Sequence, residues 1–168
     1  MTTFDLRKLR IRSGDQARER VEIELEPLLL GGQSYEPRPN PVPAELSVTR
    51  ASSGTVLELA FDVTLAGPCF RCLADAELNL SLSLREYQAT KPDSDEEQTE
   101  YLENDRVDLS AWARDAIALA LPETILCRDD CAGLCPVCGK DLNAEPHEHV
   151  EERLDPRWAA LEALRDRD

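Results

Sequence analysis

The tightest constraint on this chain is the placement of its six cysteines, which fall in close groups. Cys69 and Cys72 are separated by two residues in GPCFRCL, while Cys127, Cys131, Cys135 and Cys138 share CRDDCAGLCPVCGKDLN. A tight turn at such spacing aims thiolates at one point, and tetrahedral Zn²⁺ takes four donors of this kind. The proline and glycine of CPVCG favour that turn. His147-Glu148-His149 follows nine residues after Cys138. Six cysteines and two histidines are eight candidate donors, enough for two closed structural sites. The preferred division puts Cys69, Cys72, Cys127 and Cys131 in one and Cys135, Cys138, His147 and His149 in the other. The first would staple a sheet to a later segment; the second would be a local ribbon-like turn. A rival division puts the four clustered cysteines on one ion and leaves Cys69 and Cys72 with the histidines or without metal. A dithiol redox pair is a further alternative. Such pairs usually open a helix, whose dipole lowers the thiol pKa, whereas the flanks of GPCFRCL read as strands. His147 and His149 also have an ordinary surface reading, because His-x-His in an acidic stretch is not diagnostic.

Metal is preferred over disulfide on compartment grounds. No apolar run approaches the ~20 residues of a membrane span, and MTTFDLRKLRIRSGD has no apolar core of a signal peptide. The expected location is the cytoplasm, where thiols stay reduced. The 168 residues suit one domain, or one with a small appendage, and the 42% hydrophobic content can build a core. Aromatics are only 5%, so aliphatic side chains must fill it. The formal net charge of -15 repels nucleic acid at long range and attracts basic partners.

Four segments are expected. Residues 1–20 form a locally basic arm, with Arg7, Lys8, Arg10, Arg12, Arg18 and Arg20 against Asp5, Asp15 and Glu19. It reads as a solvated face or, through Arg7, Lys8, Arg10 and Arg12, as a contact for an RNA backbone. Residues 21–90 form an antiparallel β domain. Val21, Ile23 and Leu25 alternate with glutamates; Leu46 and Val48 alternate with polar residues; Leu57, Leu59, Phe61, Val63 and Leu65 share one face; Leu78, Leu80, Leu82 and Leu84 share another. GGQSYEPRPNPVP reads as a loop, Ser53-Gly54 as a hairpin turn, and Gly67-Pro68 as a strand stop. Residues 91–107 read as an acidic linker or a docking segment for a basic protein. Residues 108–168 contain a helix, the Cys/His segment and a short terminal helix. Asp108 is the N-cap of an apolar stripe through Leu109, Trp112, Ala113, Ala116, Ile117, Ala120 and Leu121. The second helix starts at Asp155-Pro156 and carries Trp158, Leu161 and Leu164. The fold class is α+β: an antiparallel sheet, open or closed as a barrel, with one packed amphipathic helix and a zinc-knuckle C-terminal segment.

CFRCL, DLSAWARDAIALALP, CRDDCAGLCPVCGKDLN and DPRWAALEAL, in that order, resemble the DUF177 family, also called YceD or large ribosomal RNA subunit accumulation proteins. The resemblance covers roughly residues 45–165, and the cysteine-rich stretch is its most specific part. His147-Glu148-His149 stands where many members carry a C-x-C pair. The resemblance implies ribosome biogenesis, that is, support for accumulation or processing of large-subunit (23S) rRNA without catalysis, and the donor spacing adds one or two structural Zn²⁺ ions. The implied partner is a basic ribosomal protein of the large subunit, precursor 23S rRNA, or both. No membrane partner is expected, since no apolar run is long enough to span one, and no small-molecule substrate is expected. A thiol redox or zinc-sensing protein is the alternative function. The sequence contains no Gly-rich phosphate loop and no convincing nucleophile–base pair, so no enzyme is expected.

Overall fold

The computed structural model describes residues 1–94 and 97–149. The terminal helix expected from Asp155 lies outside the described residues. By internal contacts the chain divides into two units, Met1–Cys131 and Ala132–Asp168.

The first unit is α+β. Its main sheet is built on a long hairpin of β6 (Gly54–Pro68) and β7 (Asp75–Ala89), antiparallel along their full length. β5 (Val42–Arg50) pairs with the first half of β6, and β2 (Gln16–Ile23) pairs with β5. β4 (Gln33–Arg38) pairs with the second half of β6, and β3 (Leu28–Leu30) pairs with β4. The sheet is antiparallel throughout. The alternation in β6 dictates the core: Leu57, Leu59, Phe61, Val63 and Leu65 are buried, together with Leu46 and Val48 of β5. Each such side chain contributes roughly 1.5–3 kcal/mol relative to remaining in water.

Three segments differ from the sequence reading. The stretch read as a loop contains β4, with Tyr35 and Pro37 buried. Gly31 and Gly32, at φ +58° and +81°, make the two-residue turn that joins β3 to β4. Of the prolines that suggested a loop, Pro37 lies within β4 and Pro43 within β5, whereas Pro39 and Pro41 follow the strand end at cis bonds. There Asn40 holds Leu25: its side-chain oxygen accepts from the Leu25 N–H at 3.2 Å and its amide donates to the Leu25 carbonyl at 2.8 Å.

Residues 1–20 also take part in the fold. β1 (Thr3–Asp5) pairs with β9 (Arg106–Asp108), and β2 starts at Gln16, with Arg18 and Arg20 exposed on the strand. Within the acidic stretch, β8 (Leu102–Glu103) forms a hairpin with β9. Asn104 and Asp105 both have positive φ, as a two-residue turn of this kind requires. Acidity hid a three-stranded sheet of order β1-β9-β8.

Helix α1 (Leu109–Ala120) follows the expected cap, with the Asp108 carboxylate accepting from the Ala111 N–H at 3.0 Å. Leu109, Trp112, Ala113, Ala116 and Ile117 are buried, and Tyr101 stacks on Trp112 with ring centroids 5.9 Å apart. The buried stripe stops one turn short of the expected one: Ala120 is exposed and Leu121 half-buried. The N-terminus fastens the helix start. Thr2 accepts from the Leu109 N–H at 3.0 Å, and Ser110 donates to the Glu24 carbonyl at 2.8 Å.

Candidate metal centres

The β6–β7 connection carries the first cysteine pair. The Cys69 N–H donates to the Ala74 carbonyl at 2.7 Å, and the Leu73 N–H donates back to the Cys69 carbonyl at 3.0 Å. Leu73 completes the turn at φ +63°. The same pattern recurs in CPVCGK: the Cys135 N–H donates to Lys140 at 2.8 Å, the Gly139 N–H to Cys135 at 2.8 Å, and Gly139 has φ +73°. The two C-x-x-C segments are one turn built twice, with leucine in the left-handed position of the first and glycine in that of the second.

In the first unit, Cys127 and Cys131 come from the segment after α1 to meet Cys69 and Cys72. The Phe70 N–H donates to the Ile125 carbonyl at 2.8 Å, and the Arg71 guanidinium donates to the Cys131 carbonyl at 2.9 Å. The four sulfurs lie within 4.8 Å of one another, with Cys69–Cys131 at 3.8 Å and Cys72–Cys127 at 3.6 Å. A tetrahedron with ~2.3 Å Zn–S bonds has edges of about 3.8 Å, close to the Cys69–Cys131 and Cys72–Cys127 separations. Burial raises the Cys69 thiol pKa, but N–H groups of Cys72, Cys127 and Arg71 donate to its sulfur and outweigh burial, leaving it lowered to about 6. Desolvation and the sulfurs of Cys72, Cys131 and Cys69 push Cys127 up to about 12. Four thiolates this close repel one another, and the fully ionised set requires a cation at its centre.

The second group lies within the other unit: Cys135, Cys138, His147 and His149, with donor atoms again within 4.8 Å of one another. Cys138 Sγ is 3.1 Å from His147 Nε2, shorter than the ~3.6 Å of an ideal Zn-bridged S–N edge. Metal entry would spread this pair by about half an ångström. His147 Nδ1 lies 2.7 Å from the Glu145 carbonyl. That bond fixes the ring with Nε2 toward the cysteines, the usual orienting contact of a metal-binding histidine. N–H donation from Cys138 lowers the Cys135 thiol to about 6 against the opposing effect of burial. The four clustered cysteines thus divide between the two groups.

Two supporting residues escaped the sequence reading. Asp141 Oδ1 accepts from the Asn143 N–H at 2.9 Å, and Asn143 Oδ1 accepts from the Ala132 N–H at 2.8 Å, which closes the loop around Cys135. The Asp-x-Asn order after CPVCGK is a recognisable turn signal. Of the residues considered for RNA contact, Arg7 is engaged by the Asp5 carboxylate at 2.9 and 2.8 Å, while Lys8, Arg10 and Arg12 are exposed.

A family model described as "Large ribosomal RNA subunit accumulation protein YceD" matches residues 57–165, a span containing all eight donors. The chain belongs to the YceD family. Its relatives include the uncharacterized protein Rv2926c of Mycobacterium tuberculosis, 35% identical over 70% of this chain and 58% of the relative. The uncharacterized protein ML1660 of Mycobacterium leprae is 31% identical over 72% of this chain and 58% of the relative. The uncharacterized protein YlbN of Bacillus subtilis is 30% identical over 64% of this chain and 66% of that protein. The matched region thus spans less than two thirds of each relative. No solved structure matches the chain. Among the described residues of this YceD-family protein, no helix is long and apolar enough to cross a membrane.

Proposed function

We propose that this YceD-family protein is a non-catalytic ribosome biogenesis factor, supporting accumulation or processing of 23S rRNA, with one structural Zn²⁺ in each Cys/His group. The observation that carries this reading is the family match over residues 57–165, which includes both groups. Zinc would be held in the first unit by Cys69, Cys72, Cys127 and Cys131, and in the second by Cys135, Cys138, His147 and His149. A closed four-donor set leaves no position for a reactive water, so the role assigned to the metal is structural. Thiol redox chemistry is the weaker reading, because both thiols of the Cys69/Cys72 pair are buried away from any partner thiol in solution.

The net charge of -15 favours a basic ribosomal protein of the large subunit as the direct partner over precursor rRNA. Binding of that kind is fast and weakens with salt. The RNA alternative runs through Lys8, Arg10 and Arg12. Since residues 1–20 include β1 and the start of β2, deletion would damage the fold, whereas reversing these exposed charges should leave it intact.

The test is depletion of the protein in its own host, with the ratio of 23S to 16S rRNA as the readout. The ratio should fall and recover with the native chain, but not with a Cys69→Ser/Cys135→Ser chain. An unchanged ratio on depletion rejects the reading. Recovery with Lys8→Glu/Arg10→Glu/Arg12→Glu would favour the protein partner over the RNA contact.

A further inference from the structure

β7 pairs along its full length with β6, and among the described residues no strand lies on its other edge. An open edge this long is normally blunted by lysine, proline or a bulge. The centre of β7, Leu78–Leu84 in the order LNLSLSL, has no charge, no proline and no glycine. Leu78, Leu80, Leu82 and Leu84 stand in register with buried Leu65, Val63, Phe61 and Leu59 of β6, yet all four remain half-exposed. The core face therefore runs out to the open edge instead of ending before it. Asn79, Ser81 and Ser83 make the opposite row, small and polar. Glu77 and Arg85 flank the uncharged stretch, both exposed.

The strand is complementary to itself. Laid antiparallel on a second copy about a two-fold axis at Ser81, it sets Leu78 against Leu84 of the other copy and Leu80 against Leu82. Glu77 then falls opposite Arg85 at both ends. Leucine meets leucine on the core side, serine and asparagine meet on the other, and Glu77 meets Arg85, while Glu86 falls opposite Ala76 and Asp75 opposite Tyr87. Shifting the axis to Leu80 or Leu82 leaves a leucine facing Ala76 or Glu86. Arg85 in one copy is only loosely engaged, 3.9 Å from Glu58, and is free to turn to a new carboxylate.

We propose that a second copy of this chain docks on β7, forming a two-fold dimer through antiparallel β7–β7 pairing centred on Ser81. The partner is a second copy because the charge pattern and leucine spacing fit that strand in one register. Free backbone groups of both edges would pair, and the leucine stripe would become continuous across the interface. This goes beyond the proposed role in rRNA accumulation and does not depend on it.

The test is the mass of the full, metal-loaded chain by sedimentation equilibrium across micromolar concentrations. The native chain should be a dimer that dissociates on dilution. Glu77→Arg alone, and Arg85→Glu alone, should each raise the dissociation constant roughly tenfold, since like charges then face at two symmetric positions. The effect should shrink at high salt. Glu77→Arg combined with Arg85→Glu should restore the native value, because only this register places the two positions opposite each other. Both residues are exposed, so circular dichroism should stay unchanged in all variants. A native chain that is monomeric throughout overturns the proposal and leaves the edge to another extended segment. Single reversals without effect, or a double exchange that fails to restore the dimer, overturn it as well.

Discussion

Leu73 is the residue where the two cysteine turns diverge. It sits at φ +63° with its side chain exposed, in the position that Gly139 fills in the second turn. A side chain there is strained by roughly 1–2 kcal/mol. Leu73→Gly removes that strain at the cost of extra freedom in the unfolded chain. We expect stability to change by no more than about 1 kcal/mol, upward, in chemical denaturation. Leu73→Val, β-branched at positive φ, should lower it by roughly 1–2 kcal/mol. The reverse ranking would mean that the turn is not held as described. Gly67 bears on the same end of the sheet from below. A Cβ there would stand 2.5 Å from the Tyr35 ring and 2.8 Å from the Ser34 carbonyl. Tyr35 cannot yield easily, because it is buried and its hydroxyl donates to the Pro68 carbonyl at 2.8 Å. Gly67→Ala should therefore destabilise the protein by roughly 1–3 kcal/mol, with Gly32→Ala, which meets open space, as the strain-only comparison.

At the scale of elements, α1 is held by its cap, the N-terminal strand and the ring of Tyr101. The Tyr101 hydroxyl lies 3.2 Å from Asp115 Oδ2 on the exposed side of the helix. Burial, and then the Asp115 carboxylate, push its pKa up to about 12 from an ordinary value near 10. A raised folded pKa means that the unfolded chain loses this proton first. The stabilisation is therefore complete below pH 10 and fades as pH rises through about 12. Spectrophotometric titration should show one tyrosine ionising late, and Tyr101→Phe should flatten the loss of helix over that window. If the native and Tyr101→Phe proteins lose helix identically between these pH values, the contact does not hold α1.

Over the whole molecule, two separate four-donor groups predict a definite metal stoichiometry. Protein purified without chelator should contain two zinc ions per chain, falling to one in Cys69→Ser/Cys72→Ser and to one in Cys135→Ser/Cys138→Ser. Metal removal should lower the melting temperature of the native chain. Acid should act in the same direction, because protons compete with the metal for thiolate and imidazole. Loss of both ions on changing either pair would mean that the groups do not bind independently. One ion in the native chain and in Cys69→Ser/Cys72→Ser would return the sheet pair to thiol chemistry.

Much of this was legible in the chain. The period of two in Leu57–Leu65 placed the core strand, Asp108 and its apolar stripe placed the helix, and cysteine spacing marked both turns, because each signal is local. The signals that failed were also local but conflicted. Prolines masked β4 although Gly31-Gly32 announced its hairpin, and acidic residues masked the Asn104-Asp105 turn between β8 and β9. Charge and proline report solvation and backbone limits, and do not by themselves exclude pairing. The choice of which cysteines converge belongs to the tertiary structure. Cys69 and Cys131 are 62 residues apart and meet only because the segment after α1 hydrogen-bonds to the β6–β7 turn. Sequence spacing determines which donors can share a turn; only the packed chain determines which two turns share a centre.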